Sequence, residues 1–248
     1  MPAPYYFEDF TEAAYRRLIA LAQARYRFVG YPDYASAGPL VIWRHDLDIS
    51  VERAVAMAEI EAALGATSTW FVLFHSPFYN LLDRDTLRKI QHIQSLGHTI
   101  GLHFDASFYD GFSTEAALTS KLHDEKRGLE DLLGTSVDAF SWHNPDAADV
   151  LRYQADEMAG MINAYGQTFR TAFTYCSDSN GYWRYDRMRD VLTTSNAPKL
   201  HLLTHPVWWH PTEMPPRERV QRCVEAAAAA QLRNYDAMLT LQARENVG

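Results

Sequence analysis

The chain has 248 residues, of which 47% are hydrophobic, 13% aromatic and 22% charged. These proportions exclude a disordered or fibrous chain, and the length suits one α/β barrel with no room for a second domain, so residues 1–248 are read as a single domain. Lys and Arg number 23 against 31 Asp and Glu, a formal net charge of −8 with no basic run, which excludes nucleic acid as the main partner. Ten histidines stand out as metal-capable material.

In chain order, Thr11 reads as the N-cap of a helix from Glu12 to about Tyr26, packed on the barrel. A short apolar strand follows at Leu40–Trp43, then a helix at Val51–Leu64 closed by Gly65. The β-branched and aromatic run Thr67–Phe74 reads as a strand, Arg84–Leu96 as a helix closed by Gly97, and His98–Phe104 as a strand. Glu115–Leu133 reads as a long helix, Val137–Trp142 as a strand and Asp149–Met158 as a helix. Met161–Cys176 holds one or two strands. Tyr185–Thr194 is helical, Lys199–Thr204 is a strand, and a last helix runs from Pro215–Pro216 to about Ala243. Strands alternating with helices give a parallel sheet, and this many units suit a sheet curled into a barrel, complete or one unit short.

Ligands of such folds sit at the carboxyl ends of the strands, and five predicted strand ends carry imidazole, carboxylate or both. These are Arg44-His45-Asp46-Leu47-Asp48, His75, His103-Phe104-Asp105, His143-Asn144-Pro145 and Thr204-His205-Pro206. Asp46 and Asp48, two apart in extended chain, point the same way and repel unless a cation lies beside them. A divalent metal resolves that conflict; the lesser alternative, compatible with it, is that Asp48 caps the helix from Val51. Cys176 and Cys223 read as two reduced thiols. MPAPYYFEDF lacks a basic and an apolar leader region and no stretch could span a bilayer, so the expectation is a cytoplasmic protein without a transmembrane segment.

Asp46-Leu47-Asp48, Gly97-His98-Thr99-Ile100-Gly101-Leu102-His103 and Leu203-Thr204-His205-Pro206 together resemble, in order, the motifs of polysaccharide deacetylases, carbohydrate esterase family 4. Tyr175-Cys176-Ser177-Asp178 through Trp183 sits where that family has an Asp/Trp motif, and the resemblance spans about Leu40 to Pro211. It looks closest to a divergent branch with a His-Asp-x-Asp first motif.

The resemblance implies a deformed (β/α)7 barrel and a metal-dependent hydrolase that removes the acyl group from an amino sugar in a bacterial surface-glycan precursor. Asp46 then takes the place of the general base, His205 that of the general acid, and Asp48 and His103 those of metal ligands. The metal is expected to be zinc, with Co, Ni, Mn or Fe as substitutes. The family's next ligand, four residues after His103, is Ser107 here. Either the missing ligand comes from Asp105 or from His143, with His143 preferred because the family carries an Arg-Pro motif at that strand end, or neither replaces it and the site is degraded. Arg44, Trp142, Asp178 and Trp208 are expected to contact substrate, the aromatics by stacking on a sugar face. Two other readings stay open: a non-catalytic glycan-binding relative, and a metal-dependent hydrolase of a formyl group or cyclic amide.

Overall fold

The computed structural model describes residues 5–109, 111–146 and 149–247. The first four residues of the stretch read for a leader lie outside them. Helix α1 (Glu12–Gln23) starts where Thr11 Oγ1 accepts a hydrogen bond from the Ala14 N–H at 3.2 Å. Strand β1 (Arg27–Phe28) is followed by β2 (Leu40–Leu47), α2 (Val51–Ala63), β3 (Thr69–Leu73) and α3 (Arg84–Ser95). Then come β4 (Thr99–Phe104), α4 (Glu115–Leu133), β5 (Ala139–Trp142), β6 (Glu157–Met158), β7 (Met161–Asn163) and α5 (Gln167–Ala172). The chain ends with β8 (Thr174–Ser177), α6 (Met188–Thr194), β9 (Lys199–Thr204) and α7 (Pro216–Leu241).

The sheet order is β6-β7-β5-β4-β3-β2-β9-β8, with β1 beside the start of β2. Every pairing is parallel except β6 with β7. Asp46 on β2 and Ser141 on β5 are three strands apart, about 14 Å in a flat sheet. Their side chains approach to 3.4 Å, so the sheet is curled. It forms a half-barrel: among the described residues no ladder joins β8 to β6 or β7. This is an α/β fold with a deformed (β/α)7 architecture.

Alternation along β2 separates two cores. Leu40 and Ile42 face inward and pack with Tyr31, Phe71, Phe169 and Phe173 inside the curl. Val41, Trp43 and Leu47 face outward beneath the helices, in one cluster with Tyr15, Leu18, Met57 and Trp70. Gly101 on β4 is required by this filling, because a Cβ there would lie 2.5 Å from the Phe71 ring.

The outward face also holds a buried polar staple. Glu61 of α2 accepts hydrogen bonds from the Tyr15 hydroxyl, from His45 Nε2 at 2.8 Å and from Ser68 Oγ at 2.6 Å. His98 Nδ1 stands 3.6 Å from the same carboxylate, and Thr204 Oγ1 bonds His45 Nδ1 at 2.8 Å. Burial pushes the Glu61 carboxyl up, but His45, His98 and Ser68 outweigh it and hold it below its ordinary range. One carboxylate thereby ties α1, α2, β2 and the starts of β3 and β4 together.

Three expectations are corrected and one, the one or two strands between Met161 and Cys176, is refined. The stretch Asp149–Met158 is no helix: a single 3-10 turn at Val150–Arg152 leads into extended chain and β6. Asn163 Nδ2 donates to the carbonyls of Tyr153 (3.1 Å) and Ala155 (3.0 Å), and Asp156 accepts from Thr168 N–H and Oγ1, so side chains from beyond the segment hold it open. Strand β2 runs four residues past Trp43, carrying Arg44 and Asp46 into the barrel. Between Met161 and Cys176 the two strands are separated by helix α5, and the later helix starts at Met188 rather than Tyr185.

Candidate functional site

The five strand ends singled out by sequence do not all meet. Asp46, Asp48, His103, His143 and His205 line one cavity of about 450 Å³ at the carboxyl edge of the sheet. That volume suits a small ligand. His75 lies apart, stacked on Phe108 at 3.7 Å and 3.4 Å from Glu125.

Asp48, His103 and His143 form a compact group whose ligating atoms all lie within 4.8 Å of one another. Asp48 Oδ1 is 3.1 Å from His103 Nε2 and 3.5 Å from His143 Nδ1, and the two nitrogens are 3.2 Å apart. Yet Asp48 Oδ1 is buried and makes no hydrogen bond. An orphaned carboxylate oxygen facing two imidazole nitrogens fits a divalent cation, which takes one electron pair from each. Burial pushes the Asp48 carboxyl up, and the two histidines outweigh it and hold it well below the carboxylate range. Asp105 turns away to cap its own loop, accepting from Ser107 N–H at 2.9 Å and Ser107 Oγ at 2.6 Å. The geometry therefore groups His143, and not Asp105 or Ser107, with Asp48 and His103.

Asp46 stands beside this group, 3.8 Å from His103 Nε2. It is held from below by Arg44 Nη2 at 3.1 Å and from the side by Ser141 Oγ at 3.4 Å. Ser141 Oγ also meets His103 Nδ1 at 2.7 Å, so one hydroxyl links the two residues. On the opposite wall His205 Nε2 lies 3.9 Å from Asp48 Oδ2. Its Nδ1 donates to Asp178 at 2.6 Å, and Asp178 is fixed by the His205 backbone N–H and by Trp209 Nε1 at 2.8 Å. Burial pushes the His205 imidazolium down; Asp178 outweighs it and holds it up at about 9.

Of the four residues expected to contact substrate, only Trp142 lines the cavity. Arg44 is fully buried beneath Asp46, against the Phe71 and Tyr165 rings, and shares Nη2 between Asp46 and the Tyr165 hydroxyl. Asp178 is buried behind His205, and Trp208 packs over Gly181 instead of the cavity. Sequence reading missed Asn144, Tyr165, Tyr175, Arg184 and Tyr185, which do line it. Asn144 had a signal, its place directly after a strand-end histidine. Tyr175 lies on β8, in the stretch that resembles the Asp/Trp motif, whereas Tyr165, Arg184 and Tyr185 sit on loops whose course depends on the curl of the sheet, and no local pattern points them at the cavity.

No family model and no curated protein matches the sequence. Among solved structures, the chain is similar to the CE4 domain of a multidomain xylanase from the hindgut metagenome of Trinervitermes trinervoides, at 13% identity over 80% of this chain and 85% of that one, with a TM-score of 0.44. A family 4 carbohydrate esterase from Bacillus anthracis is similar at 13% identity over 88% and 86% of the two chains, TM-score 0.41. A CE4 family pseudoenzyme, also from Bacillus anthracis, is similar at 12% identity over 78% of this chain, TM-score 0.41. This chain spans 62% of the length of that pseudoenzyme.

Proposed function

We propose that this protein is a metal-dependent hydrolase that removes the acyl group from the amino nitrogen of a sugar, in the manner of the polysaccharide deacetylases its motifs resemble. The observation that carries this reading is the Asp48–His103–His143 group flanked on one side by Asp46 and on the other by the His205–Asp178 pair. Amide hydrolysis needs a base for the incoming water, an acid for the departing amine and positive charge at the acyl oxygen.

Asp48, His103 and His143 would hold the cation, zinc by preference for a mixed nitrogen and oxygen set. When bound, it supplies Lewis acidity at the acyl oxygen and lowers the pKa of water. Asp46, paired with buried Arg44, takes the proton of the attacking water. His205 stays protonated through neutral pH because of Asp178, and gives its proton to the leaving nitrogen. Trp142, Tyr165 and Tyr175 offer flat faces and hydroxyls for a sugar ring. The substrate we favour is a small N-acylated sugar or glycan precursor, met in the cytoplasm.

The test is acetate release from a panel of N-acetylated amino sugars by zinc-loaded protein, with and without chelator. Release that chelation stops and zinc restores is expected; no release from any member rejects the reading. The Asp178–His205 pair adds a pH signature. An acid held up at about 9 is half deprotonated at that pH, so activity falls on the alkaline side. Asp178→Asn removes the charge that raises it, and the alkaline limb should move down by about one unit or more. A pH–rate profile with an unmoved limb would remove His205 from the acid role.

A further inference from the structure

The two imidazoles of the ligand group are held differently on their far sides. His103 Nδ1 stands 2.7 Å from Ser141 Oγ and 3.3 Å from the Ser141 carbonyl. A carbonyl only accepts, so Nδ1 carries the proton and Nε2 offers its electron pair toward Asp48. For His143 the nitrogen in the group is Nδ1, and its Nε2 meets the side-chain amide of Asn144 at 2.8 Å. An imidazole that gives the Nδ1 pair to a cation must carry its proton on Nε2, and that N–H needs an acceptor.

Asn144 is the side chain bonded to that nitrogen, and its amide can turn either way. With Nδ2 toward the ring, as here, the amide donates to Nε2 and the proton belongs on Nδ1, where it reaches His103 Nε2 at 3.2 Å. With Oδ1 toward the ring, the amide accepts and Nδ1 is freed. A half-turn of the terminal amide exchanges the two with no other displacement. The backbone supports this placement: Asn144 has φ +43, a left-handed conformation that Asn and Asp adopt more readily than other residues with a Cβ.

We propose that Asn144 is a positioning residue for metal binding, turning its amide oxygen to His143 Nε2–H and so selecting the His143 tautomer that can bind a cation through Nδ1. This rests on the reading of His143 as a ligand. It gives the His143-Asn144 pair a joint role that neither residue has alone.

The experiment is zinc titration of chelator-stripped protein by calorimetry, for the wild type, Asn144→Gly, Asn144→Asp and His143→Ala. Glycine keeps the left-handed backbone and removes the acceptor, and should weaken zinc affinity about ten- to a hundredfold. Aspartate, which only accepts, should bind at least as tightly as the wild type. Long-range nitrogen–proton NMR of the zinc-loaded wild type should show His143 protonated on Nε2. Wild-type affinity in Asn144→Gly, or equal weakening in the glycine and aspartate variants, would overturn the proposal. Wild-type affinity in His143→Ala would instead overturn the ligand assignment beneath it.

Discussion

Asp46→Asn is expected to keep its metal and lose turnover. The carboxylate lies outside the three-residue ligand group, with its nearest approach 3.8 Å from His103 Nε2, so an isosteric amide leaves Asp48, His103 and His143 in place. What it removes is the proton acceptor, and loss of a positioned general base costs about 10²–10⁴-fold in rate. Arg44 makes the substitution demanding. Its guanidinium is fully buried, Asp46 is its carboxylate partner, and Nε and Nη1 have no hydrogen bond. Burial pushes the Arg44 pKa down, but Asp46 outweighs it and keeps the group charged. The amide oxygen of Asn can still accept from Nη2, so the variant should fold. Zinc content and acetate release are therefore measured on the same preparation, with the melting temperature as control. Loss of metal together with activity would exchange the roles of Asp46 and Asp48.

Glu61→Ala is expected to be the most destabilising single change. The substitution deprives Tyr15, His45 and Ser68 of their shared acceptor in a region without solvent access. Removing one member of a buried charged network costs about 3–5 kcal/mol. For a chain of this size that is a fall of roughly 6–20 °C in melting temperature. Glu61→Gln keeps an acceptor and should lose much less. Both are read by thermal unfolding followed by circular dichroism. Equal losses in the two variants would mean that the charge, and not the acceptor, holds the staple.

The fold was legible in the sequence wherever a segment's own pattern decided its structure. Helices α2 and α3 are capped at Leu64 and Leu96, directly before Gly65 and Gly97, the glycines that mark their ends in the sequence. The alternation of strands and helices was enough for the curled parallel sheet. The misread segment, Asp149–Met158, is one whose hydrogen-bond partners Asn163 and Thr168 lie further along the chain. The sequence pattern ends this strand at Trp43, since charged residues are rare in buried strands; Arg44 and Asp46 share the inward face of β2 by alternation, and the curl encloses that face.

The candidate site was legible to the extent that its residues sit at strand ends. Asp46, Asp48, His103, His143 and His205 share the cavity because parallel strands deliver their carboxyl ends to one edge. Direction was not legible. Arg44, Asp178 and Trp208 are near the site in sequence, yet each points behind it, toward Asp46, His205 or Gly181. Strand-end position fixes neighbourhood, while the side of the wall a residue serves depends on packing that no local pattern encodes.

The most direct check of a metal centre at Asp48, His103 and His143 is the metal content of protein purified without chelator or added salt, measured by mass spectrometry and followed by zinc titration of the stripped form. One divalent ion per chain, tightly rebound after stripping, is the expected result. A protein that carries no divalent metal and takes up none on titration would contradict the hydrolase reading at its root.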